Sequence, residues 1–118
     1  MDFKEVSSDE RRTIYADETI LDGKEISIIK LNKGKAIGGC IHSLPEKYFI
    51  LSGDVSIGTG ILRVRKKAPY CGTFPSGVPH MFYAFEDSVI IECGLTIEEK
   101  GNLKDEYLLN CVRELNNE

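Results

Sequence analysis

The sequence predicts an all-β protein, an antiparallel sandwich or barrel followed by one C-terminal α-helix. Between residues 25 and 97, short β-branched and aromatic segments alternate with Gly and Pro turns, which is typical of small sandwiches and barrels. None of these segments has the length and periodicity of a crossover helix, which disfavours parallel α/β architectures. A helical pattern appears only after residue 102.

Size and composition predict one globular domain over residues 1–118. The chain has 118 residues, of which 42% are hydrophobic and 29% are charged, the balance of an ordinary folded protein. A net charge of −4 argues against nucleic acid as the main partner. The polar first dozen residues and the short apolar runs show neither a signal peptide nor a membrane span. We therefore expect a soluble, cytoplasmic protein.

The first segment, Met1 to Lys24, has sparse hydrophobic residues and predicts one or two short edge strands. Asp22-Gly23 is a strong signal for a two-residue hairpin turn. The barrel itself is expected over about residues 25–97. Its predicted strands are Glu25–Leu31, Tyr48–Leu51, Val55–Ile57, Ile61–Arg65, Gly72–Pro75, Met81–Phe85 and Val89–Cys93.

The C-terminal segment predicts a helix over about residues 103–116. Its apolar residues fall on one stripe: Leu103, Tyr107, Leu108, Cys111, Val112 and Leu115. Asn102 is the predicted N-cap. We expect the stripe to cover the barrel or to form a dimer contact.

Two turn-and-strand segments contain both histidines of the chain. In the first, Cys40 and His42 share one face of a strand, and Glu46 opens the next strand with Tyr48 on its face. In the second, a Pro-Gly turn precedes His80. If both segments face one interior, two imidazoles and a carboxylate converge, a ligand set that suits iron, manganese, zinc or a similar divalent ion.

The same segments resemble the two motifs of the cupin family. His42-x3-Glu46-x6-Gly53 matches the second half of the first motif, and Pro75-x-Gly77-x2-His80 matches the middle of the second. The resemblance spans roughly residues 34–92. It implies an antiparallel jelly-roll barrel, with His42, Glu46 and His80 at three of the four metal-ligand positions of the family.

The chain departs from the family pattern at several positions. Cys40 stands where the first histidine is expected, Pro69 where a glycine is expected, and Ala84 in place of the closing asparagine. A thiol can ligate a metal once it has lost its proton, and the resulting thiolate favours softer ions. Cys40 is therefore a candidate fourth ligand, with a small buried core residue as the alternative.

A looser resemblance connects the chain to small cupins of nucleotide-sugar modification. It is carried by Glu46–Phe49, Pro75–Phe82 and Glu86–Val89. It suggests a sugar or nucleotide-sugar substrate, with Arg63 and Arg65 as phosphate-binding candidates and Phe82 in the substrate pocket. Glu46 and Tyr48 are the candidates for proton transfer.

Three functions fit these residues. The first is an isomerase, epimerase or lyase that acts on a sugar or sugar-like keto compound through a divalent metal. The second is an iron-dependent dioxygenase with the same ligands. The third is a non-catalytic module that binds a small carbohydrate. Family resemblance and small size further suggest a homodimer.

Overall fold

A computed structural model describes residues 3–101 and 103–117. Two helices are described, α1 (Ile97–Lys100) and α2 (Glu106–Asn116). The ten described strands are β1 (Lys4–Ser8), β2 (Arg12–Leu21), β3 (Lys24–Leu31), β4 (Ala36–Cys40), β5 (Glu46–Ser52), β6 (Asp54–Thr59), β7 (Leu62–Lys67), β8 (Tyr70–Phe74), β9 (His80–Ala84) and β10 (Ser88–Leu95). The predicted all-β architecture with a C-terminal helix is confirmed.

The strands form two sheets in which all neighbouring strands pair antiparallel. One sheet has the order β1-β2-β3-β10-β5-β8 and the other the order β4-β9-β6-β7. Side chains that alternate along β5, such as Tyr48 and Ile50, are buried between the sheets. They pack there with Phe82 of β9 and Ile90 of β10. The main core is therefore the space between the two sheets, as period-two patterning requires.

The N-terminal segment contributes more strand than the sequence suggested. β1 is a short edge strand, as expected, but β2 has ten residues and lies inside the sheet between β1 and β3. The predicted turn at Asp22-Gly23 is confirmed, because Leu21 pairs with Lys24 across it. Both turn residues have positive φ, 50° and 86°, which is the conformation that a two-residue turn of type I′ needs.

Helix α2 begins three residues later than predicted, at Glu106. Its N-cap is Asp105, whose side chain accepts a hydrogen bond from Leu108 N at 3.0 Å; the predicted cap, Asn102, lies outside the described residues. Leu103 precedes the helix, and both it and Tyr107 are exposed. Because the side chain of an Asp cap satisfies a free N–H of the first turn, the cap determines where the helix starts.

The buried face of α2 lies against the outer face of the four-stranded sheet. Leu108 and Val112 form a second apolar cluster with Ala36 of β4 and Met81 of β9. The Asn116 side chain attaches the C-terminal end of α2 to β4, since it accepts a hydrogen bond from Ala36 N at 2.7 Å and donates one to Ala36 O at 2.9 Å. The helix thus covers the outer side of the four-stranded sheet at β4 and β9.

We expect Leu108→Ala to lower the free energy of unfolding by about 3 kcal/mol, because it leaves a cavity under a fully buried side chain. The neighbouring Tyr107→Ala, which removes a side chain that is 56% exposed, should cost less than about 1 kcal/mol. Urea denaturation of both variants checks this. Equal losses would mean that α2 does not pack through its Leu108 face.

In the part of the chain that the structure describes, no helix is long and apolar enough to cross a membrane.

Candidate metal centre

Three buried side chains meet between the sheets at one end of the barrel. His42 follows β4, Glu46 opens β5 and His80 opens β9. Glu46 Oε1 lies 3.5 Å from His42 Nε2 and 3.6 Å from His80 Nε2. One ligand atom from each residue lies within 4.8 Å of the others. Their exposed fractions are 8%, 1% and 4%, so the group is enclosed by protein.

Backbone pairing brings the two motif segments together. Cys40 of β4 pairs with His80 of β9, and Gly77 N donates to the carbonyl of His42 at 2.7 Å. The turn that precedes His80 is therefore attached directly to the segment that carries His42. Glu46 comes from the other sheet, where alternation along β5 directs it inward.

Hydrogen bonds orient both imidazoles. His42 Nδ1 donates to Lys100 O at 2.8 Å, and His80 Nδ1 donates to Val78 O at 3.3 Å. A carbonyl only accepts, so in each neutral ring the proton is on Nδ1 and the lone pair is on Nε2. The His80 ring also stacks on Phe74 at a centroid distance of 4.1 Å. Both Nε2 atoms are thus directed at Glu46.

Glu46 is an ionised carboxylate in this buried setting. Burial alone would raise its pKa, but the nearby side chains of His42, His80 and Glu92, together with the Lys100 charge, lower the pKa well below the usual range. Oxygen Oε2 is buried and has no hydrogen-bond partner; Lys100 Nζ lies 3.6 Å away. The other oxygen, Oε1, faces the Nε2 atoms of both imidazoles, and two imidazole nitrogens beside a carboxylate oxygen fit a divalent cation.

Glu92 is a second, partly buried carboxyl that the sequence reasoning missed. It lies on β10 opposite Tyr48 of β5, and its Oε2 is 4.0 Å from His80 Nε2. Burial, followed by the Glu46 charge, raises its pKa well above the usual range. A carboxylic acid inside the apolar run Val89–Cys93 was the signal that could have identified it, because a buried charge is costly without a partner.

The triad lies in a cavity of about 370 Å³. Phe82, the candidate substrate-pocket residue of the sequence, is among the residues that line this cavity. Arg63 and Arg65 do not; Arg65 forms a double hydrogen bond with Asp54, at 3.0 and 2.7 Å, and lies over the Phe85 ring. The cations that do line the cavity are Arg11, Arg12, Lys100 and Lys104. They come from segments to which the sequence reasoning assigned no site residue.

The structure does not bring Tyr48 to the cavity. Its ring stacks on Phe74 at 4.4 Å, and Phe74 in turn stacks on His80. Phe74 therefore separates the tyrosine from the triad. Burial raises the pKa of the Tyr48 hydroxyl to about 12. These contacts make Tyr48 a residue of the main core.

Cys40 lines the cavity but lies outside the three-residue group of close ligand atoms. Its Sγ accepts a hydrogen bond from Lys104 Nζ at 3.1 Å, and its backbone forms an isolated bridge with Lys104. The side chain of Cys40, the predicted fourth ligand, is therefore directed towards Lys104 in the segment before α2. Among the described residues, the candidate centre has three protein ligands.

Comparison with known proteins identifies the fold. No family model and no curated protein matches the sequence. Among solved structures, the chain resembles the cupin-2 domain protein Rru_A2000 from Rhodospirillum rubrum, with a TM-score of 0.69 and 18% identity over 96% of this chain and 81% of that one.

Two further structures share the architecture. The capsular polysaccharide assembling protein CapF from Staphylococcus aureus aligns with a TM-score of 0.69 and 15% identity, over 88% of this chain but 34% of its own. The Fe(II) form of HppE aligns with a TM-score of 0.64 and 13% identity, over 78% of this chain and 55% of its own. The chain therefore has the cupin fold, which confirms the predicted fold class.

Proposed function

We propose that this cupin-fold chain is a metal-dependent enzyme of the isomerase, epimerase or lyase type that acts on a sugar or sugar-like keto compound. The observation that carries the proposal is the convergence of His42, Glu46 and His80 at the wall of one cavity. Three protein ligands leave coordination positions for a substrate oxygen, as catalytic metal sites require. A cavity of about 370 Å³ is within the range for a small-molecule ligand.

His42 and His80 would bind the ion through Nε2, and Glu46 through its carboxylate. A divalent ion held there acts as a Lewis acid that polarises a carbonyl. The hydrogen bonds from Nδ1 to Lys100 O and Val78 O keep each imidazole in the ligating tautomer. Phe74 supports His80 from the core side by stacking on its ring, and Phe82 packs in the same core cluster as Phe74.

Proton transfer is better assigned to Glu92 than to Tyr48. Glu92 lines the cavity and is the carboxyl there that is not in the ligand group. Tyr48 lies behind Phe74, and Glu46 would be occupied as a ligand. A carboxyl beside the substrate carbonyl is what enolisation needs from a general acid or base.

A sugar-type substrate is supported by two observations. The cavity wall carries four basic side chains beside four apolar ones, Ile14, Ile29, Ile37 and Phe82, and the basic groups suit a polar ligand. One structural neighbour, CapF, is named as a capsular polysaccharide assembling protein. A homodimer and a nucleotide-sugar substrate are retained as hypotheses from the sequence.

An iron-dependent dioxygenase is the second candidate. The 2-His-1-carboxylate set with open positions is the arrangement of non-haem Fe(II) oxygenases, and HppE, which aligns with this fold, was solved with Fe(II). The two candidates differ in the metal that they need, because zinc has no redox chemistry and cannot activate oxygen as iron does.

The decisive experiment assays protein loaded in turn with Fe(II), Mn(II), Zn(II) and Ni(II). We expect at least one form to interconvert or cleave members of a panel of aldoses, ketoses and keto acids, followed by NMR, without oxygen uptake. Glu46→Gln should abolish this turnover, while Arg63→Gln, a change outside the cavity, should not. Oxygen uptake by the iron form alone would support the dioxygenase. Ligand-induced thermal stabilisation without turnover in any form would indicate a binding module.

A further inference from the structure

The outer face of the six-stranded sheet carries an uninterrupted row of apolar side chains across five strands. Strand register places side by side Tyr15 of β2, Ile28 of β3, Ile91 of β10, Phe49 of β5 and Cys71 of β8. Their neighbours along the strands, such as Ile29, Ile50 and Ile90, point into the main core, so these five side chains point away from it. They are called the outer row below. Phe49 and Cys71 are exposed, and the other three are half-buried.

Further apolar residues widen the outer row on both sides. Ile26 and Cys93 pair with each other on one side, and Leu51, which is 54% exposed, lies on the other. At the β8 end, Phe49, Leu51, Pro69 and Cys71 line a groove of about 520 Å³. A contiguous exposed apolar patch of this kind marks an interaction surface more often than a plain solvated one.

The four-stranded sheet shows how this protein treats its other outer face. Where Ala36 and Met81 point outward, α2 covers them. Where that face is open, at β6 and β7, it carries polar residues such as Ser56 and its neighbour Arg65, as a solvated sheet face requires. The outer row departs from this pattern. Among the described residues neither helix covers it, since α2 lies on the other sheet and α1 lies at the triad end of the barrel.

We propose that the outer row and its flanks form the contact between two copies of this chain related by a two-fold axis. This inference goes beyond the proposed function and does not depend on the metal centre. A sheet face fits another sheet face, because twisted sheets stack about 10 Å apart with interdigitating side chains. A second copy supplies such a face with the same apolar row, and two-fold dimers are the commonest oligomers.

The size of the face agrees with a dimer contact. Six strands that lie about 4.8 Å apart span roughly 24 Å. The eight residues of β3 or of β10, at about 3.3 Å each, span roughly 26 Å. The face therefore measures roughly 600 Å². Stable interfaces bury about 600–1,000 Å² per partner, so this face alone reaches the lower end of that range.

The positions of two lysines also favour a second copy. Lys30 lies on the Val89 side of the outer row, and Lys47 lies on the opposite side. A two-fold axis along the row turns each side of one copy onto the other side of its partner. Lys30 then faces the side that carries Ile26, and Lys47 faces the side that carries Leu51, so neither lysine meets the same lysine of the partner. Each aliphatic stem can pack on the apolar surface while its charged end reaches water.

Sedimentation velocity tests the contact through charge substitutions. We expect wild-type protein to sediment with twice the chain mass at about 100 μM. Ile91→Lys, at the centre of the outer row, should raise the dissociation constant of the dimer by about a hundredfold or more, because it places an unpaired charge from each copy in the contact. Leu62→Lys and Tyr107→Lys add the same charge to β7 and to α2, at side chains that are 66% and 56% exposed. Both should leave the dimer unchanged.

Alkylation of the native cysteines locates the contact independently. Cys71 belongs to the outer row and is exposed in the single chain, whereas Cys111 is partly buried in α2. Iodoacetamide labelling followed by mass spectrometry should modify Cys71 about tenfold more slowly in the wild-type dimer than in Ile91→Lys, because a dimer contact excludes water and reagent. The labelling rate of Cys111 should be the same in both proteins.

Several results would overturn this assignment. Wild-type protein that is still monomeric at about 100 μM rejects it, including the case in which the outer row binds phospholipid vesicles instead. A dimer that persists in Ile91→Lys rejects it too, and dissociation of Leu62→Lys or Tyr107→Lys would then place the contact on β7 or α2. If Ile91→Lys does not fold, as judged by circular dichroism, Phe49→Lys takes its place in both experiments. An unchanged dimer or an unchanged Cys71 labelling rate in that variant counts against the outer row.

Discussion

Replacing both His42 and His80 with alanine should abolish metal binding, whereas we expect the wild-type protein to hold close to one divalent ion per chain after reconstitution. The double variant removes two of the three ligand atoms that lie within 4.8 Å of one another and leaves a single carboxylate. A lone carboxylate does not retain Zn²⁺ or Fe²⁺ against dialysis, because such ions need several nitrogen or oxygen ligands in fixed geometry. Elemental analysis of dialysed protein measures the difference.

The same metal should stabilise the wild-type protein and not the variant. A ligand that binds only the native state adds about 4 kcal/mol when its free concentration is a thousand times its dissociation constant. The wild-type melting temperature should therefore rise on metal addition, and chelation should reverse the rise. At a pH below the pKa of His42, which the Glu46 carboxylate raises, metal binding should also release protons, because the ion must displace the proton of the charged ring.

Cys40→Ala is the matched control for the ligand set. Cys40 lines the cavity, but its Sγ bonds to Lys104 rather than belonging to the triad, so this variant should keep its metal. Metal loss in Cys40→Ala would restore the thiol as a ligand. Wild-type protein that stays metal-free after reconstitution with each of four ions would contradict the centre itself.

The candidate ligands could be predicted from the sequence because they lie in short local patterns. The spacings His42-x3-Glu46 and Pro75-x-Gly77-x2-His80 each describe one turn and the strand that follows it. Alternation then assigns Glu46 and His80 to the inner face. Local geometry of this kind is visible in a single segment, and the structure places all three side chains together.

The rest of the cavity wall could not be predicted in this way. Arg12 comes from β2, Glu92 from β10 and Lys100 from α1, and they meet only because the sheet order places β3 between β2 and β10. Strand order depends on long-range pairing, which no local spacing reports. Tyr48 shows a second limit of local patterns. Alternation correctly predicted that its side chain points inward, but its position along β5 places the ring against Phe74 and not at the cavity.

Gly38→Ala should be the most damaging single-methyl change near the centre. Gly38 lies in β4 with a φ of 124°, and a Cβ there would come within 2.6 Å of Met81 Cα and 2.7 Å of His80 O. Both obstacles are backbone atoms of β9, so they cannot move aside as a flexible side chain would. We expect a loss of about 3 kcal/mol or more in the free energy of unfolding, from backbone strain and overpacking together.

Gly60→Ala separates these two causes. Gly60 also has a positive φ, 62°, but a Cβ there would meet nothing within 4 Å, so only the conformational penalty of about 1–2 kcal/mol remains. Relief of the Gly38 clash has to displace β9, which begins at His80, and the variant should therefore also bind metal more weakly than Gly60→Ala. Denaturant unfolding and metal titration of the two proteins measure both effects. Equal unfolding losses with unchanged metal affinity would show that β4 does not hold His80 in place. A larger loss of stability and of metal affinity in Gly38→Ala than in Gly60→Ala would show that the close approach of β4 to β9 positions the candidate ligand His80.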